Sequence, residues 1–205
     1  MIAVIGARPQ SLGAGIAATL NFEHDIMTIG PNEERLPWRW PAALDLSPYS
    51  DVVVTMGLNL SDSEDPGGRA QMEVNYFGPM NLARQWQRLG TPGHFVVISS
   101  NSASIARSGS AGYCASKAAL SMGLRSLARS AGPGVFYGWE FGLLQGTPMT
   151  QAVAARLGPD VPLSRIPGAP DGLSVAACAG HVARALVGGG RELNGCMLRI
   201  DGGDS

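Results

Sequence analysis

Six short apolar runs recur along the chain, and helix-length stretches separate them. The runs 2–5, 26–29, 51–55, 94–99, 134–140 and 196–200 are rich in Val, Ile and aromatic residues and read as strands. Between and after them, 14–20, 70–89, 112–130, a short stretch near 149–157, and 174–187 read as helices. Strands alternating with helices predict an α/β fold, a doubly wound parallel sheet with a helical layer on each face. Met72, Val74, Phe77, Met80, Leu82, Trp86 and Leu89 form a helical stripe interrupted by Gly78-Pro79. A proline there removes a backbone donor and predicts a kink. With no repeat or linker visible, residues 1–205 are expected to form one domain.

Tyr113 and Lys117 lie four residues apart in Gly112-Tyr-Cys-Ala-Ser-Lys-Ala-Ala-Leu120, and Ser100 precedes the tyrosine by thirteen. An i, i+4 pair shares a helix face, with Cβ atoms about 5–6 Å apart. An ammonium beside a phenol favours phenolate, so the pair is expected to work as an acid/base near neutral pH. Val96-Val-Ile98 running into Ser99-Ser100 reads as a buried strand that presents a hydroxyl at its C-terminal end.

On these residues the chain resembles the short-chain dehydrogenase/reductase family, and the resemblance extends along its length. Met1-Ile-Ala-Val-Ile-Gly6 looks like the first strand entering a glycine-rich turn, Asp51-Val-Val-Val-Thr55 like the fourth strand, and Val74-Asn75 like the family's helix asparagine. Asn194 to Gly203 looks like the last strand with its Asp-Gly-Gly ending. The resemblance implies a Rossmann-type NAD(P)-binding domain. It implies Tyr113 as acid/base, Lys117 lowering the tyrosine's pKa and binding the nicotinamide ribose, Ser100 holding the substrate oxygen, and Asn75 anchoring a proton-relaying water.

Gly6-Ala-Arg-Pro-Gln-Ser-Leu-Gly-Ala-Gly15 follows a strand and opens a helix, where glycines admit a pyrophosphate to the helix N-terminus. Gly13 lies seven positions after Gly6, a longer loop than the family's commonest spacing and closer to its enoyl-acyl-carrier reductase members. Gly6, Arg8, Ser11, Leu12 and Gly13 are the candidate phosphate contacts. By the resemblance, Asp45-Leu46 matches an adenine-contacting pair, Gly57 keeps the small position after the fourth strand, and Thr147 sits one residue later than the threonine that touches the carboxamide. Ile29 is followed by Gly30 rather than by a carboxylate that would bind the ribose hydroxyls of NAD, and Arg8 could meet a 2′-phosphate. The cofactor expected is therefore NADP, with NAD as the alternative that Glu33 and Glu34 favour.

Residues 30–50 depart from the family plan. Four prolines forbid a long helix, so both helices that normally fill this region are expected to be missing. Ala42-Leu46 is either a vestigial strand with an extended return or part of one irregular crossover. Trp38 and Trp40 either stack on an adenine or cover sheet surface left bare by the missing helices.

A net charge of −1 gives no electrostatic footprint for nucleic acid or an anionic membrane. No apolar stretch approaches the roughly 20 residues of a membrane span, and Met1–Gly6 is too short for a signal peptide. Three scattered cysteines predict neither a zinc site nor a disulfide framework, which fits a reducing cytoplasm. His24, His94 and His181 are expected in surface or capping roles. The Gly/Pro-rich stretch 142–172 reads as a mobile flap over the substrate site, small and apolar through Leu143, Leu144, Met149, Val153 and Leu157, with Arg156 and Arg165 as solvated cations or anion contacts.

The reading is an NAD(P)-dependent oxidoreductase acting on a small carbonyl or alcohol, without metal. Its rival is a non-catalytic NAD(P)-binding regulator, to which the altered Thr55-Met56 and Phe141 positions point. Met80, Trp86, Leu120, Met122, Leu124 and Leu127 exceed what one helix face on a sheet can cover, so a homo-oligomer is expected, a tetramer or a dimer.

Overall fold

The computed structural model describes residues 1–7, 9–20, 26–29 (as backbone), 44–130, 132–158 and 172–201. Its strands are β1 (Ile2–Ile5), β2 (Ile26–Ile29), β3 (Asp51–Val54), β4 (His94–Ser100), β5 (Val135–Phe141) and β6 (Met197–Ile200). They form one sheet in the order β2-β1-β3-β4-β5-β6, and every pairing is parallel. After β2 the chain returns to the far side of β1, so the winding reverses between β1 and β3. A crevice outside the carboxyl ends of the strands opens at such a point.

The helices are α1 (Leu12–Leu20), α2 (Arg69–Met72), α3 (Gly78–Leu89), α4 (Ala111–Ala128), α5 (Pro148–Leu157) and α6 (Val175–Gly188). Side chains alternate across each strand, so both faces of the sheet are apolar and each needs a cover. On one face Val4, Val53, Val96 and Tyr137 pack with Leu12, Ile16 and Leu20 of α1 and Cys178, Val182 and Leu186 of α6. On the other, Ile5, Val52, Phe95 and Phe136 pack with Met80 and Trp86 of α3 and Leu120 and Leu124 of α4. This is the expected three-layer doubly wound sheet.

The kink expected at Gly78-Pro79 takes a specific form. A π-helical turn over Glu73–Phe77 joins α2 to α3, and the Gly78 N–H reaches back to the Glu73 carbonyl. Pro79 carries no N–H, so it supplies no donor to the Asn75 carbonyl four residues before it. A wider turn absorbs that irregularity.

One expectation changes. Met80, Trp86, Leu120 and Leu124 are each no more than 2% exposed and belong to the chain's own core. Of the six residues expected at an interface only Met122 is open, at 62% exposure. Helix-on-sheet packing covers a wider stripe than hydropathy alone suggests. His94 takes a capping position: its Nε2 lies 3.1 Å from the carbonyl of Gly189, the residue that ends α6, and its Nδ1 3.0 Å from Asp51 Oδ1.

Residues 30–43, with Trp38 and Trp40, lie outside the described residues, as do Arg8, His24 and Arg165. Leu44–Leu46 belongs to no strand. Leu46 is fully buried, and Gln85 of α3 donates to the Leu44 carbonyl at 2.6 Å. Cys114, Cys178 and Cys196 are free thiols. Among the described residues no helix is long and apolar enough to cross a membrane, and no cluster of three or more His, Cys, Asp or Glu could hold a metal ion.

Candidate active site

The buried residues of α4 are Tyr113, Ser116, Lys117, Leu120, Ser121, Leu124 and Ala128. Their three- and four-residue spacing puts them on one face, apolar toward the C-terminus and polar toward the strand ends. Hydrogen bonds fix the polar part. Lys117 Nζ donates to the Ile98 carbonyl at 3.0 Å, and Ser99 Oγ donates to the Lys117 carbonyl at 3.3 Å. Ser121 Oγ lies 3.0 Å from Ser99 Oγ and donates to Glu140 Oε1 at 2.8 Å. Ser99 and Glu140 are register partners in β4 and β5, so this network ties α4 to two strands just below Tyr113.

Asn75 holds the neighbouring loop. Its Oδ1 accepts from the Leu58 N–H at 2.7 Å, and its Nδ2 donates to the Leu58 carbonyl at 2.8 Å and to Ser116 Oγ at 2.9 Å. A fully buried amide with its bonds satisfied pins the β3–α2 loop to α4. Gly57 occupies the gap between them. A Cβ there would stand 3.2 Å from Met149 Cε, 3.5 Å from Lys117 Nζ and 3.9 Å from Asn75 Oδ1. Gly57, Asn75, Lys117 and Tyr113 are thereby drawn together under α5, whose Met149 Sδ accepts from the Tyr113 hydroxyl at 3.9 Å.

The electrostatics differ from the sequence expectation. Burial pushes the Tyr113 phenol up to about 12, and the Ser100 hydroxyl, within hydrogen-bonding reach, only partly offsets it. Burial pushes the Lys117 ammonium down to about 8. Lys117 Nζ lies 5.9 Å from the centre of the tyrosine ring and is directed at the Ile98 carbonyl. Desolvation sets the direction of the shift, and the phenol keeps its proton at neutral pH.

The turn after β1 carries the other predicted cluster. Gly6 has φ +93, a left-handed conformation that favours glycine. Ser11 Oγ accepts from the Ala14 N–H at 3.3 Å and so caps α1. A Cβ on Gly13 would stand 2.9 Å from Ala7 Cα and 2.5 Å from Thr55 Oγ1. The Leu12 and Gly13 amides lie in the first turn of α1, where helix N–H groups lack intrahelical acceptors. Thr147 caps α5 by accepting from the Thr150 N–H at 3.2 Å. Asp45 is not brought to this cluster: it faces solvent and accepts from the Ser47 N–H at 2.9 Å. Leu46 packs into the core with Tyr49, Val52 and Trp86. Arg156 pairs with Glu64 at 3.3 Å and bonds Asn59 at 3.2 Å, away from the phenol.

Sequence reasoning missed Ser116 and Met149. Ser116 could have been found as the i+3 neighbour of Tyr113 on the same face. Met149 was expected only as an apolar flap residue, and nothing in its spacing announces a contact with the phenol.

Residues 54–156, just over half of the chain, match the family described as short chain dehydrogenase. No curated protein matches. Among solved structures, BdcA in complex with NADPH superposes with a TM-score of 0.78 at 17% identity, over 100% of this chain and 93% of that one. Sorbitol-6-phosphate 2-dehydrogenase SrlD from Erwinia amylovora gives 0.75 at 16% identity, over 100% and 99%. 4-Hydroxyisoleucine dehydrogenase complexed with NADH gives 0.74 at 19% identity, over 100% and 98%.

Proposed function

Because the chain belongs to the short chain dehydrogenase family, we propose that it is a nicotinamide-dependent oxidoreductase interconverting a small carbonyl and its alcohol. Tyr113, Lys117, Ser100 and Asn75 are its catalytic residues in this reading. The observation that carries it is the buried Tyr113 phenol beside Ser100, with Lys117, Asn75 and Gly57 gathered behind it.

In reduction, Tyr113 donates its proton to the carbonyl oxygen. Ser100 donates a hydrogen bond to the same oxygen, stabilising the charge that develops there. Lys117, held at the Ile98 carbonyl, keeps an ammonium near the tyrosinate left behind. Asn75 holds Leu58 and Ser116, and its own carbonyl, which Pro79 cannot serve, is the acceptor for a relaying water. The nicotinamide, when bound, supplies or takes the hydride at the carbonyl carbon.

The residues present fit such a dinucleotide. Gly57 leaves open beside Lys117 the space that a Cβ would fill. The first turn of α1 offers the Leu12 and Gly13 amides to a pyrophosphate, with the Gly6 turn and Ser11 beside them. Thr147 serves the carboxamide and Arg8 the adenosine half, whereas Asp45, turned to solvent, and Leu46, fully buried, drop out of the contact set. NADP is the cofactor we favour over NAD, since no carboxylate follows Ile29. NADPH should bind roughly tenfold tighter than NADH, the size of a charge-assisted contact, and Arg8→Ala should narrow the gap. Equal dissociation constants would reject that choice. Turnover of a panel of ketones and aldehydes with NADPH, lost in Tyr113→Phe, tests the main reading. NADPH binding with no turnover of any carbonyl would favour a regulator, a role consistent with Met149 covering the phenol.

Assembly as a homo-oligomer stays part of the proposal on narrower ground. The exposed Met122, Phe77 (46%) and Leu89 (43%) remain for a two-fold contact. Sedimentation equilibrium giving only a 21.3 kDa species would refute it.

A further inference from the structure

Every residue of β5 is buried, and Glu140 is the one carboxyl group among them. A carboxyl group in such a strand is costly unless hydrogen bonds receive it. The parallel register sets Glu140 beside Ser99 of β4, and both point to the same face of the sheet. That face is the one covered by α4, since Phe136, two pleats earlier, packs there with Leu120 and Leu124. Ser121 lies one turn of α4 after Lys117 and two turns after Tyr113, on the same buried face. Its hydroxyl donates to Glu140 Oε1 at 2.8 Å and lies 3.0 Å from Ser99 Oγ. Ser99 Oγ in turn donates to the Lys117 carbonyl at 3.3 Å. None of the four residues is more than 7% exposed, so these bonds form away from water, where they are strongest.

The end point of this chain decides what it can do. It stops at the Lys117 peptide carbonyl, whereas Lys117 Nζ is directed at the Ile98 carbonyl. A peptide carbonyl holds no proton to pass on, so the chain does not relay protons to the phenol. It fixes a distance instead. A serine has a single hydroxyl proton. With that of Ser121 committed to Glu140, only the Ser99 proton serves the link between the two serines and the Lys117 carbonyl. Glu140 is therefore the terminal acceptor that gives the chain its direction. Ser99 adjoins Ser100, and Lys117 lies one turn after Tyr113, so the bonded residues are the immediate neighbours of the reacting pair. A misplacement of about 1 Å at such a pair costs about 10²-fold in rate.

We infer that Glu140 is a positioning residue: through Ser121 and Ser99 it holds the Lys117 turn of α4 against the strand end that carries Ser100, and so sets where the Tyr113 phenol stands. This rests on the oxidoreductase reading above. Glu140 acts through two hydroxyls rather than on the reacting atoms.

The test uses the full chain, saturating NADPH and the best carbonyl of the panel, with the unfolding midpoint of each variant measured alongside. Glu140→Ala should lower kcat by about 10²-fold, the cost of a misplaced reacting group, and leave the KM of the carbonyl little changed. Glu140→Gln, whose amide oxygen still accepts from Ser121, should recover most of that loss. Ser99→Ala leaves the Ser121–Glu140 bond in place and cuts the link to Lys117, so its kcat should fall comparably. Adding Glu140→Ala to Ser99→Ala should then cost little more, because residues that act as one unit are not additive. Should Glu140→Ala fail to fold, Ser99→Ala carries the test, and an unchanged kcat there overturns the inference. Hydrogen exchange of the cofactor-free chain follows the same link without turnover. The amides from Lys117 to Ser121 should exchange faster in Ser99→Ala and Glu140→Ala and as in wild type in Glu140→Gln. That pattern in a chain that reduces no carbonyl would uphold the link and reject the oxidoreductase reading. A kcat that falls only with the folded fraction, additive losses in the double variant, or a Glu140→Gln as impaired as Glu140→Ala would overturn the inference and leave the oxidoreductase reading standing.

Discussion

The two ends of β4 both bury polar groups, and they are built to opposite rules. At the N-terminal end, His94 meets Asp51 Oδ1 through its ring at 3.0 Å and through its backbone N–H at 2.9 Å. Both ring nitrogens face an oxygen, Asp51 Oδ1 on one side and the Gly189 carbonyl on the other. Burial pushes the Asp51 carboxylate up, yet hydrogen bonds from His94 and Ser50 outweigh it and hold the group below its ordinary value. At the C-terminal end, Lys117 is 3% exposed and hydrogen-bonds to the neutral Ile98 carbonyl. Tyr113 is pushed up, and Asn101 Nδ2 finds no hydrogen-bond partner among the described residues. The first end spends its polar groups on holding β3, β4 and the end of α6 together. The second keeps them desolvated, with the phenol pushed up and the ammonium pushed down.

If that contrast is right, variants at the two ends should separate activity from stability. The largest effect is at Tyr113. Tyr113→Phe should lower kcat by about 10²–10⁴-fold, the usual contribution of a positioned acid/base, with the midpoint of chemical unfolding retained. Comparable kcat in the variant would break the comparison at its reactive end.

Lys117→Met should lower kcat and raise stability together. Depression of the ammonium from 10.5 to about 8 corresponds to about 3 kcal/mol of destabilisation at neutral pH. Between those values the native state binds fewer protons than the unfolded chain, so Lys117 makes wild-type stability rise with pH. The stability gap between Lys117→Met and wild type should therefore be widest below pH 8 and close toward pH 10.5. A gap independent of pH would mean that the ammonium is not desolvated.

At the other end, His94→Ala should cost about 1.5–3 kcal/mol, the range for hydrogen bonds to charged groups, and leave kcat/KM unchanged. The lowered Asp51 value stabilises the fold above the ordinary 3.8 and is lost as pH falls through the folded value. His94→Ala should accordingly flatten the acid limb of the stability curve. Loss of activity in step with stability would show that the two ends are coupled.

What was legible in the sequence follows the range of the forces involved. Strand runs and the Tyr113–Lys117 face are set by local periodicity, and the strands and helices lie within one or two residues of expectation at nearly every end. Asn75 to Ser116 spans 41 residues and Asp51 to His94 spans 43, separations at which spacing carries no signal. The apolar stripe of α3 and α4 was visible, but composition does not distinguish a chain's own core from an interface, and the sheet claimed Trp86 and Leu124. The direction of the Tyr113 shift failed for a related reason. Helical spacing set the lysine near the tyrosine without revealing the Ile98 carbonyl that holds its ammonium or the α5 cover that desolvates the phenol.

The central claim is that burial, rather than the neighbouring ammonium, governs Tyr113 before substrate binds, so that the phenol is stored as a proton donor. Tyrosine-labelled carbon NMR of the cofactor-free chain, assigned with Tyr113→Phe, measures this directly. The resonance should remain that of a protonated phenol beyond the ordinary 10.0 and titrate at about 12. A midpoint near neutral pH would contradict the account and return control of the phenol to Lys117.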